Sequence, residues 1–146
     1  MSNNGHIETD THEKATHFSK IGAYAGFAWC IQIVLGTIIY VLSQPDELLV
    51  LGGTYVYFYF GEKVIVFMLA WILSLRVYSG KGYISAIALL ICFVLYKILV
   101  FLAAPTIFYG LIINGLIAYG MYAGIRGTHA LRQFYNNSKV DPDIFD

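Results

Sequence analysis

An all-helical membrane fold, an antiparallel bundle of four transmembrane helices running up, down, up and down, follows from three observations on the sequence. Hydrophobic residues fill 58% of the 146 positions and charged residues 12%, the latter about half the share found in soluble domains. Apolar runs long enough to cross roughly 30 Å of hydrocarbon recur at about residues 21–42, 55–75, 83–104 and 106–125. The basic residues outside these runs are also distributed unevenly. Lys14 and Lys20 precede the first run, Arg76 and Lys81 lie between the second and third, and Arg126, Arg132 and Lys139 follow the fourth. With four spans all of them fall on one side, and the two opposite connections contain no Lys or Arg. That asymmetry predicts both termini in the cytoplasm. A three-span arrangement scatters basic residues over both sides and is rejected.

The organisation predicted is a polar cytoplasmic segment over 1–20, a transmembrane domain over 21–125, and a cytoplasmic helix extension with an acidic tail over 126–146. The first twenty residues are polar, and the first apolar run begins only after Lys20. A secretory signal has a short basic start and a brief apolar run ending at a small-residue cleavage site, so span one is expected to stay in the mature protein. His6, His12 and His17 lie in this lead-in without a closed ligand set of the kind a metal site needs. A solvated helix is expected there.

In span one, Gly22 and Gly26 stand four apart, the small-xxx-small spacing that lets helix backbones approach. Gln32, near mid-membrane, needs a hydrogen-bond partner from another helix. Ser43-Gln44-Pro45-Asp46 ends the span with turn formers. Residues 47–53 suit either the first turn of span two or a short interfacial segment. Span two opens with Tyr55, Tyr57, Phe58, Tyr59 and Phe60, an aromatic belt at headgroup level, and then carries Gly61-Glu62-Lys63 within the membrane. Tyr55, Tyr59, Glu62 and Val66 share a face, so a tyrosine hydroxyl is expected beside Glu62. The basic connection RVYSGKG leads to span three, whose single charge is Lys97. Pro105 predicts a tight turn into span four, where Asn114 sits near the middle and Gly120 and Gly124 repeat the small-residue spacing.

Charges in hydrocarbon are costly and are functional candidates by default. Glu62 stands 13 positions from the cytoplasmic end of span two at Leu75, and Lys97 stands 14 from that of span three at Tyr83. Gln32 and Asn114 each lie 11 positions from their own cytoplasmic ends. A polar layer of Gln32, Glu62, Lys97 and Asn114 is therefore predicted inside the bundle. Its structural reading is a Glu62–Lys97 ion pair with the amides as interhelical hydrogen bonds. Its functional reading is a proton or ion relay, or a seat for the charged part of a small substrate. Lys63, rotated about 100° from Glu62, is expected to snorkel to the outer interface.

The zero formal net charge points away from nucleic acid and strongly anionic substrates. Cys30 and Cys92 read as small packing residues, with no CxxC pair. All four His lie outside the spans, which argues against haem, and no phosphate loop, GxSxG, HExxH or Rossmann glycine pattern is present. No catalytic residue, metal site or cofactor is predicted. Arg126, His129 and Arg132 form a basic group at the cytoplasmic face, read chiefly as a headgroup anchor. The stretch GIRGTHALRQF around them resembles the ends of small four-span bacterial proteins, a short likeness that implies no chemistry.

The sequence thus predicts a small multi-pass protein, placed in the bacterial inner membrane by its short loops and polar start. Its partners are the lipid bilayer and either further copies of itself or a larger membrane complex. The favoured function is a non-enzymatic subunit or interaction protein. An oligomeric transporter or ion pathway using Glu62 and Lys97 comes second, and a membrane enzyme acting on a lipophilic substrate a distant third.

Overall fold

The computed structural model describes the backbone of residues 3–43, 52–103 and 110–137, and the side chains of all of these but 3–10, 54 and 103. It is all-helical: α1 (Asn3–Ser43), α2 (Gly52–Tyr78), α3 (Tyr83–Ala103) and α4 (Leu111–Asn137). Three stretches are long and apolar enough to cross a membrane, Thr11–Ser43 in α1, Tyr55–Tyr78 in α2 and Tyr83–Leu102 in α3. Within its described residues α4 is not among them. It has the length, but Asn114, Arg126 and several glycines dilute its apolar content. The expected start of span four at 106–109 and the turn at Pro105 lie outside the described residues, as do 44–51 and the tail from 138.

Helix α1 is continuous through the predicted boundary at residue 20. Its 41 residues measure about 60 Å at 1.5 Å per residue, roughly twice a hydrocarbon core. Beyond Ile125, α4 runs on to Asn137. The two extensions pack together, with the His12 ring tilted against Phe134 at 5.0 Å and edge-on to Tyr135 at 6.2 Å between ring centroids.

The helices form a ring. α1 packs mainly against α4 and then α2, α3 packs against both α4 and α2, and α1 barely touches α3. Contacts along α1 and α4 run in opposite order, from His12–Phe134 through Gly22–Gly124 to Gln32–Asn114, so the two are antiparallel. The centre holds Trp29, Ile33, Leu89, Phe93, Ile117 and Met121, with a smaller cluster of Ala23, Val77 and Ala86 nearer the connection of α2 and α3. Trp29 meets the Phe93 ring edge-on at 5.3 Å, a favoured aromatic geometry. Outside, Ile31, Leu42, Phe58, Ile65, Ile84, Leu99, Ile112 and Leu116 are all exposed. Apolar exposure on every helix is far beyond what a soluble monomer shows and is what a lipid solvent requires.

The α2–α3 connection is built from backbone rules. Gly80 takes φ +76° and its N–H donates to Val77 O at 3.0 Å, a left-handed residue closing the helix end as glycine does best. Gly82 then starts α3, its carbonyl accepting from Ala86 N–H at 2.8 Å. Ser19 Oγ donates to Val77 O at 2.5 Å, tying α1 to a carbonyl at the C-terminus of α2 that has no partner within its own helix.

Candidate functional site

Two small-residue seams and one chain of polar side chains occupy the bundle interior. The first seam joins α1 to α4. A Cβ placed on Gly124 would lie 2.7 Å from Gly22 Cα, and one on Gly120 would lie 2.8 Å from Ala25 Cβ. Gly127, one turn on, abuts the backbone of Ser19 and the carbonyl of Ala15. Gly26 belongs to a different contact. It faces Ser74 of α2 and Leu89 of α3, so the two glycines of span one serve different neighbours. Gly127, Ala15 and Ser19 were not singled out from the sequence. Their signal was there, because small residues recur at 15, 19 and 22 and at 120, 124 and 127.

The polar chain links three helices. Lys97 Nζ of α3 donates to Gln32 Oε1 of α1 at 2.9 Å, and Gln32 Nε2 donates to Asn114 Oδ1 of α4 at 3.0 Å. An ammonium can only donate, so it holds the Gln32 oxygen toward itself. The Gln32 amide nitrogen is thereby turned to α4, where Asn114 must present its oxygen. One orientation of both amides satisfies the whole chain. The Lys97 ammonium also lies 5.5 Å from the Phe93 ring centroid, within cation–π range. The Lys97–Gln32 bond is a direct polar link between α1 and α3 across the bundle.

Glu62 is not part of that chain. Its side chain is 55% exposed on the outer face of α2, and its ion pair among the described residues is with neighbouring Lys63 at 3.3 Å. The sequence expectation of a Glu62–Lys97 pair assigned the inward position to the wrong member of Gly61-Glu62-Lys63. One residue is about 100° of helix, and here that rotation turns Lys63 inward and Glu62 outward. Lys63 is 17% exposed and donates to the Tyr96 hydroxyl at 2.9 Å, with the Tyr59 and Tyr96 ring centroids at 5.1 and 5.0 Å. It therefore does not reach outward as expected. The tyrosine hydroxyl foreseen for Glu62 is instead given by Tyr96 to Lys63.

At the end of the bundle where α1 begins and α4 finishes, the His129 ring lies tilted 5.2 Å from Tyr83 and Arg132 stands 6.0 Å from the same ring. Arg126 is exposed one turn earlier. Lys20 Nζ lies 5.9 Å from the Tyr78 ring at this same level. Cys30 is buried, with Sγ 3.9 Å from Phe67 O, and Cys92 is a half-buried free thiol. The Trp29 indole N–H is buried without an acceptor among the described residues. No group of three or more His, Cys, Asp or Glu able to hold a metal occurs among the described residues.

Compared with protein-family models, with curated proteins and with solved structures, the chain matches none.

Proposed function

We propose that this chain is a four-span protein of a bacterial inner membrane, with both termini in the cytoplasm, that serves as a non-enzymatic subunit or interaction protein within a homo-oligomer or larger membrane complex. The carrying observation is how its polar groups are divided. Lys97, Gln32 and Asn114 satisfy one another and bind three helices together, which commits the interior to structure. The outside keeps a carboxylate at Glu62 and open glycines at Gly36, Gly61 and Gly115, where an added Cβ would meet nothing within 4 Å. Small residues on an outer membrane face allow another helix to come close. The basic residues clustered at one end of the bundle support the cytoplasmic assignment.

The test is the mass of the intact assembly released in mild detergent from native membranes. A stable oligomer or complex is expected, and a lone chain at native expression level would refute the proposal.

A second reading, an oligomeric ion or proton pathway, draws on one observation. Lys97 is an inward-facing ammonium without an acidic partner among the described residues, and intramembrane ionisable groups mark conduction routes in other proteins.

A further inference from the structure

We infer that the outward face of α2 around Glu62 seats a transmembrane helix of a different protein, one that presents a lysine or arginine at the depth of Glu62. This rests on the subunit reading above and names the chemistry of its partner.

Glu62 lies 13 residues from Leu75, about 20 Å along the helix and so inside a hydrocarbon layer roughly 30 Å thick. Ionisable groups at such depth face a bundle interior or a water-filled cavity, or are paired. Glu62 faces the outside. One carboxylate oxygen meets Lys63 at 3.3 Å, and the other has no partner among the described residues. Lys63 cannot serve it fully, because the Tyr96 hydroxyl and two tyrosine rings hold that ammonium inward. The second intramembrane lysine, Lys97, is engaged with Gln32. The chain's own membrane cations thus leave one Glu62 carboxylate oxygen on this face without a partner among the described residues.

The same face is shaped for a helix. Phe58, Ile65, Leu69 and Ile72 are exposed and fall with Glu62 at alternating spacings of four and three residues, the period of a helix–helix seam. Gly61 beside Glu62 leaves open space for close backbone approach. A second copy docking by this face about a two-fold axis meets it with the same residues. It therefore sets Glu62 against Glu62 and supplies no cation, so charge complementarity selects a different protein.

The experiment places a photoreactive residue at Phe58 or Ile65, with Ile84 and Ile91 on α3 as controls, and irradiates native membranes. Adducts are expected from the α2 positions to a protein whose crosslinked helix carries Lys or Arg. Glu62→Lys is expected to lower their yield about tenfold, one decade in the binding constant, and Glu62→Gln to lower it less. Replacing the partner's basic residue with Glu should restore the yield to the Glu62→Lys chain. An adduct at twice the mass of this chain overturns the inference in favour of a second copy, and so does a yield indifferent to Glu62→Gln. Adducts from Ile84 or Ile91 alone overturn this face while leaving the subunit reading standing. A lone chain in detergent with no adduct anywhere overturns both.

Discussion

Adding one methyl group at Gly124 is expected to drive α1 and α4 apart, and the cost can be worked from the geometry. The new Cβ would stand 2.7 Å from Gly22 Cα, 3.5 Å from Gly22 N and 3.6 Å from Gly22 C. All three are backbone atoms, so no flexible side chain can swing away. Ordinary carbon–carbon separation is about 3.5–4.0 Å, which requires the helices to part by about 1 Å at this point. A gap of that size forfeits a quarter to a half of each affected dispersion contact, and overpacking of this kind costs about 1–3 kcal/mol. Alanine returns up to about 1 kcal/mol through its better helix propensity. Gly124→Ala should therefore destabilise the protein, by up to about 2 kcal/mol once the propensity gain is subtracted. At Gly115 and Gly36, where an added Cβ meets nothing within 4 Å, only the propensity gain remains, so Gly115→Ala and Gly36→Ala should stabilise by up to about 1 kcal/mol. Unfolding in mixed micelles, followed by far-UV circular dichroism, gives both signs in one series. The reasoning is refuted if Gly124→Ala unfolds at or above the parent midpoint, or if all three variants shift together. The Gly22→Ala/Gly124→Ala double variant should cost less than the sum of its parts, since helices already parted accept the second methyl more easily.

Further predictions concern the polar groups. Gln32→Leu strands the Lys97 ammonium and the Asn114 amide, at about 1–3 kcal/mol. The same change in a Lys97→Met, Asn114→Leu background should be close to neutral, and an equal cost in both backgrounds would exclude the chain of hydrogen bonds. The Gln32–Asn114 coupling taken alone, from a double-mutant cycle, is expected near 0.6 kcal/mol and below about 2 kcal/mol, as for other intramembrane pairs. Ser19→Ala removes a donor from Val77 O and should lower stability by about 1 kcal/mol, with faster amide exchange in the connection from Ser79 to Gly82. On the pathway reading, Lys97→Met abolishes an ion flux in reconstituted vesicles at unchanged expression. A flux that survives in both Glu62→Gln and Lys97→Met vesicles removes that reading.

Much of the bundle was legible in the sequence because membrane helices are written in composition and length. The runs at 21–42, 55–75 and 83–104 required nothing more than apolar residues counted against a bilayer, and α1, α2 and α3 run through them as far as the described residues go. The level of Gln32, Lys97 and Asn114 was also readable, because rise per residue converts position into depth. Spacing likewise pointed to Gly22, Gly120 and Gly124 as sites of close approach.

Rotation about each helix axis was decided only by tertiary packing. Depth does not say which of Glu62 and Lys63 faces inward. That choice came from Tyr96 of α3, whose hydroxyl accepts from the ammonium and whose ring face, with that of Tyr59, attracts a cation and not a carboxylate. Gly22 and Gly26 share a spacing motif, yet one meets α4 and the other meets α2 and α3, because four residues overshoot a full turn by about 40°. The reach of the seam to Ala15 and Gly127, and the contact of His12 with Phe134, depended on α1 and α4 continuing side by side. The sequence by itself determined a helical, membrane-suited chain and the positions of its polar residues along each helix, since both are one-dimensional quantities. The tertiary structure alone decided which groups meet, since that depends on helix rotation and neighbour identity, and it left Glu62 facing out.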